Sequence, residues 1–215
     1  MAFTSFRFIV FLVLAAAAYF LTPKRCRWVT LFVANYVFYF ISGGRIFIYL
    51  LATTVTTYLA TVKIGDMAAK NKIAFNEAKA ELDKEGKKAW KAAFAKKKKR
   101  ILIPTLLFNF GILAVLKYSG FVTENLNLLF AKIGIGTELP VFRFLLPLGI
   151  SFYTFQSMGY LIDVYREKQE PERNFCKLAL FISFFPQIVQ GPISRFGTLA
   201  EQLFRANEFS YTRIK

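Results

Sequence analysis

Histidine is absent from the 215 residues, and with it the side chain whose ordinary pKa of about 6.5 suits proton transfer at neutral pH. The usual zinc sites and the Ser-His-Asp arrangement cannot be assembled. Cysteine is nearly absent as well. Cys26 and Cys176 both fall in segments predicted to face the cytoplasm, where thiols stay reduced, so no disulfide is expected. No Walker loop and no GxGxxG fingerprint occurs, which gives no sign of the folds built around them. Residues 1–100 and 101–215 show no convincing internal repeat, which counts against a repeat-built transporter.

Acidic residues are scarce, 13 against 29 lysines and arginines, for a net charge of +16. In a polar chain that balance would suggest nucleic acid. Here it accompanies 55% hydrophobic and 18% aromatic residues and a mean hydropathy of +0.41. Basic residues in such a chain mark loops that face anionic lipid, so the expected partner is membrane lipid and not nucleic acid.

Apolar runs cover Phe8 to Leu21, Trp28 to Ile41, Ile46 to Val62, Ile101 to Leu116, Val141 to Ile162 and Leu178 to Ile193. They are six candidate spans, several shorter than the ~20 residues that cross a bilayer upright. The first could pass for a signal peptide, with Arg7 before it and Ala15 to Ala18 inside it. Another apolar run follows within a few residues, however, which favours an uncleaved span. The expected fold is all-α: a polytopic transmembrane helix bundle in the cell membrane. Residues 1–62 form the first helices, 63–100 a basic amphipathic cytoplasmic segment, and 101–215 the remaining helices.

Orientation follows the lysines and arginines. Residues 63–100 hold thirteen basic residues against five acidic ones, and a short loop holds Lys24, Arg25 and Arg27. Both should be cytoplasmic. Two spans separate them, so they share a side, and the N-terminus and the segment Lys117 to Pro140 are expected outside. Phe75, Ala78, Leu82, Ala89, Ala93 and Phe94 lie near helical spacing in the basic stretch. That spacing predicts one interfacial helix, anchored on headgroups through Lys96 to Arg100. Docking of an acidic protein is the alternative.

Two stretches are too polar for plain anchors. In "LPLGISFYTFQSMGYLIDVYR" (146–166), Gly149, Tyr153, Gln156, Tyr160 and Asp163 fall within about 80° on a helix, a stripe that should face protein or water. Pro147 can kink the helix near its start. Helix-to-helix glue is the bland alternative, and Asp163 could equally be an interfacial carboxylate neutralised by Arg166. In "FFPQIVQGPISRF" (184–196), Pro186 and Pro192 interrupt an apolar run that also carries Gln187, Gln190 and Arg195. This reads either as a kinked helix with Arg195 snorkelling to a headgroup or as the re-entrant wall of a reaction chamber.

These stretches, with "ERNFCKLALFISFFPQIVQGPISR" following the first and "TPKRCRWVTLFVANYVFYFISGG" near the start, resemble the membrane-bound O-acyltransferases. The branch most similar is that of the alginate O-acetyltransferases; the teichoic acid D-alanylation proteins come second. The resemblance covers the whole chain. It implies a helical tunnel carrying an acyl group, most often acetyl, from a cytoplasmic donor such as acetyl-CoA or an acyl carrier protein. The acceptor would be a polysaccharide hydroxyl outside, with a partner acetylation protein there. No bound cofactor is implied. The family's base is a histidine, activating the acceptor hydroxyl. Its absence, with an ending that looks like an approach to a further helix, leads to the expectation of an N-terminal part, inactive alone. Tyr153, Gln156, Tyr160, Asp163, Arg166, Gln187, Gln190 and Arg195 are the tunnel or motif candidates. A transporter segment and a non-catalytic scaffold are the rivals.

Overall fold

The computed structural model describes residues 5–44, 47–134, 139–141, 146, 149–190 and 194–205. Among them the secondary structure is helical, without a strand. α1 (Phe6–Leu21) carries one charged residue, Arg7, and α2 (Arg27–Gly43) follows after a single 3-10 turn at Lys24–Cys26. Arg27 folds back over the end of α1. Its guanidinium donates to the carbonyls of Thr22 (3.2 Å) and Phe20 (3.5 Å) and lies over the rings of Tyr19 and Phe20. A cation at orphan C-terminal carbonyls is favourable, and the contact fixes the α1–α2 corner. Leu14 and Leu21 on α1 remain 64% and 85% exposed, a surface that water would penalise and lipid does not.

α3 (Phe47–Ala78) and α4 (Lys84–Lys132) run 32 and 49 residues. At ~1.5 Å per residue they reach about 48 and 73 Å, against ~30 Å of hydrocarbon. Both therefore extend beyond any bilayer that contains their apolar parts. This alters the reading of residues 63–100, which form two antiparallel arms continuous with the spans and not one interfacial helix. The break falls at Lys79–Asp83, where the Asp83 carboxylate accepts from the Gly86 N–H at 2.7 Å and starts α4. That capping bond satisfies an orphan donor and makes the reversal favourable. Phe75, placed by spacing on a face with Ala89 and Phe94, instead meets Trp90 across the hairpin with centroids 6.1 Å apart. The segment from Lys117, expected to lie outside, stays helical to Lys132.

α3 packs on α4 and α5 (Ile150–Tyr165) through a face of threonines: Thr53, Thr54, Thr57 and Thr61 are all buried. Thr54 and Thr61 bond back to carbonyls one turn earlier. Thr56 and Asn109 of α4 bond to each other at 3.1 Å. Hydroxyls that return to their own backbone let helices approach closely, while the buried Thr57 hydroxyl finds no partner among the described residues. The expected span from Val141 is shorter as a helix, since α5 starts at Ile150 after Gly149, whose φ of 70° is left-handed backbone suited to glycine. Pro147 and Pro192 lie outside the described residues.

α5 ends against the arms. The Lys98 ammonium donates to the Tyr165 carbonyl and to the Glu167 carboxylate, and the Arg173–Asp66 ion pair and the Tyr58-to-Arg173 carbonyl bond hold the following loop on α3. Lys177, just beyond, lies 5.9 Å from the ring of Trp28. These contacts bring the Lys24–Trp28 corner, the two arms and residues 166–177 to one basic end of the bundle. That is the arrangement charge counting predicts.

Candidate functional site

The second motif folds into α6 (Phe175–Ser183) and α7 (Phe185–Gln190), broken at Phe184, followed by α8 (Phe196–Phe204). The expected single span from Leu178 is thus interrupted. In an unbroken helix the Phe185 N–H would meet the Phe181 carbonyl. Here the Phe185 N–H donates to Oδ1 of Asn35 at 2.7 Å, while the Phe181 carbonyl accepts from Nε2 of Gln156 at 3.0 Å. Pro186 beside the break cannot donate at all. Two side-chain amides, one from α2 and one from α5, thus take the place of the missing backbone bond. Each would otherwise leave a buried group unpaired, at several kcal/mol in hydrocarbon. Asn35 itself is fully buried and donates to the Leu31 carbonyl.

From this stitch a polar chain leads outward. Gln156 Nε2 also reaches Gln187 Oε1 at 3.2 Å, and Gln187 Nε2 donates to the Ser194 hydroxyl at 2.6 Å. Beside it opens a cavity of about 250 Å³ whose wall includes Gln156, Gly159, Tyr160, Asp163, Ser194 and Arg195. Both motifs therefore contribute to one space. The carboxylate of Asp163 makes no hydrogen bond or ion pair among the described residues and faces the same cavity as Arg195, the N-cap residue of α8. The Tyr160 hydroxyl accepts from the Glu172 N–H at 2.6 Å, fixing the loop after α5.

The remaining candidates separate. Arg166 is exposed at the end of α5 and forms no ion pair with Asp163 among the described residues, so the alternative of a carboxylate neutralised by Arg166 finds no support there. Tyr153 points into the bundle, and its buried hydroxyl finds no partner among the described residues. The same holds for the Tyr36 and Tyr39 hydroxyls. The side chain of Gln190 lies outside the described residues. Sequence reasoning passed over Asn35 and Asn109, although an asparagine inside an apolar run is itself the signal, being costly unless bonded.

An apolar, all-helical bundle with an amide-stitched helix break and a polar cavity beside it is that of a membrane protein. The chain is similar to proteins named for the O-acetylation of alginate and of peptidoglycan. It is 33% identical over 94% of its length to a probable alginate O-acetylase AlgI of Azotobacter vinelandii, covering 36% of that protein. To the corresponding protein of Pseudomonas aeruginosa it is 31% identical over 94%, covering 34%. A peptidoglycan O-acetyltransferase of Helicobacter pylori matches 47% of the chain at 31% identity, 23% of its own length being covered. The chain spans about a third of the length of the alginate O-acetylases it matches. No family model matches it. No solved structure matches it either.

Proposed function

We propose that this chain forms part of a membrane-bound enzyme that transfers an acetyl group to hydroxyls of a polysaccharide. The observation that carries the reading is the convergence of both motifs on one cavity, in a chain similar to alginate and peptidoglycan acetylases. The donor, acetyl-CoA or an acyl carrier protein, approaches the basic end on the cytoplasmic side. The acceptor, with any partner acetylation protein, lies on the opposite face, the N-terminus being outside. In the transfer a donor carbon–sulfur bond breaks and an ester carbon–oxygen bond forms. The acceptor proton leaves to a base, and the thiolate gains a proton. Arg195 supplies a cation for the developing oxyanion, and Gln156 and Gln187 hold the wall on which it stands. These 215 residues hold no histidine to serve as that base.

The test is acetyl transfer by the whole protein carrying Gln156→Ala or Arg195→Ala. Each should lower turnover at least tenfold, about 1.4 kcal/mol of barrier, in correctly inserted protein. Unchanged turnover in both would remove the cavity from the reaction.

A further inference from the structure

The hairpin of α1 and α2 carries a groove of about 390 Å³ on its exposed side. Its lining includes Ala15 and Ala18 of α1 and Ala34 of α2, where alanine leaves room that a longer side chain would fill, and Leu14 and Val33, both exposed. The groove has a closed end and an open one. At the closed end the Phe11 ring packs on Phe38 and on Phe185, with centroids 5.9 Å apart in each pair, and Phe8 packs on the same two rings. The lining stretches 11–18 of α1 and 29–37 of α2 run about 10 and 12 Å at ~1.5 Å per residue, less than half of the ~30 Å of hydrocarbon. A partner helix crossing the bilayer would need a face along all of α1. One acyl chain from a single leaflet needs no more than this.

Toward the corner the rim turns polar. The Thr22 hydroxyl donates to the Ala18 carbonyl at 2.7 Å and lies 2.9 Å from the Thr30 hydroxyl, so these groups are satisfied inside the hairpin. Beyond them stand Lys24, Arg25 and Arg27. No aspartate or glutamate precedes Asp66 in the sequence, so the hairpin itself offers these cations no carboxylate. Of the elements packed on α2, α6 adds Lys177, and α8 adds Glu201 with Arg205 just after it. Arg25 is exposed and makes no hydrogen bond or ion pair among the described residues. Basic residues where a groove between helices meets the membrane surface are suited to an anionic headgroup.

We propose that the α1–α2 groove is a site for an anionic phospholipid of the leaflet at the basic end. One acyl chain lies against Ala15, Ala18 and Ala34, and the phosphate sits at Arg25 and Arg27. Charge selects the lipid, and close packing in the room left by the alanines positions its chain. The inference stands on the hairpin alone and does not depend on the transfer reaction.

Photo-crosslinking of the whole protein tests it, in nanodiscs that contain phosphatidylglycerol with a diazirine on one acyl chain, or phosphatidylcholine with the same group. Crosslinks within residues 11–18 and 29–37, mapped by mass spectrometry, are expected with the anionic lipid and should be weaker with the zwitterionic one. Lys24→Gln with Arg25→Gln should lower the phosphatidylglycerol yield there about tenfold, leaving crosslinks to the exposed Leu107 of α4 unchanged. Ala18→Leu should block the groove to both lipids. Lys24, Arg25 and Ala18 are exposed, so these variants should insert normally. Equal yields from the two lipids, or yields indifferent to the charge pair, would overturn the proposal, the groove then holding annular lipid only. So would an absence of crosslinks there, since a further helix of the protein or of a second copy would then fill the groove.

Discussion

Asn35 and Gln156 do at the helix break what backbone groups do elsewhere. An amide side chain offers both donor and acceptor, so each serves the exposed end of an interrupted helix while keeping a second bond: Asn35 to the Leu31 carbonyl, Gln156 to Gln187. Asn35→Leu keeps the approximate size but strands the Phe185 N–H. A loss of about 1–3 kcal/mol in stability is expected, read as a lower melting temperature of the detergent-solubilised protein. An unchanged melting temperature would mean that water or another group replaces the asparagine. Gln156 was legible in the sequence as a polar residue on the stripe. That it serves the Phe181 carbonyl was not, because the partner lies 25 residues away and becomes available only when α6 breaks.

At the scale of elements, the hairpin of α3 and α4 depends on small features. Gly65 lets the 166–174 loop lie directly on α3, and Asp83 starts the returning arm. Gly65→Ala would force Pro171 away, since neither its ring nor the helix backbone can yield cheaply. Faster amide hydrogen exchange in residues 166–174 is the expected result, with exchange in α1 and α2 unchanged. Asp83→Ala should destabilise the start of α4 by about 1 kcal/mol, read as faster exchange confined to the first turn after Lys84. Helices as such were readable from apolar runs and caps. Their lengths were not, because lysine-rich arms continue a helix through backbone bonding whether or not the surface stays apolar.

For the whole molecule, the decisive property is sidedness. The Lys24–Trp28 corner, the arms and the loop after α5 share one end, and positive residues favour the cytoplasm. In a version with Cys26→Ser and Cys176→Ser, single cysteines at Lys97 and Lys132 should label from opposite sides of the membrane. Labelling of both from outside intact cells would overturn the orientation. A second expectation is that these 215 residues alone give no sustained acetyl transfer. No histidine is present among them to act as the base. Turnover abolished by Asp163→Asn would show that the base lies within them.

The sequence by itself determined the solvent, the class of fold, the grouping of charge and the residues worth watching. Each of these is a sum or a local pattern: hydropathy, lysine asymmetry, and polar side chains set in apolar runs. Tertiary structure decided which of those residues meet. It brought Gln156 to Gln187, and Asp163 into one cavity with Arg195; it left Arg166 in solvent and turned Tyr153 inward. Two antiparallel arms replaced the single basic helix for the same reason. Helical periodicity states which residues share a face, whereas the partner of that face depends on where the chain reverses and where a neighbouring helix breaks.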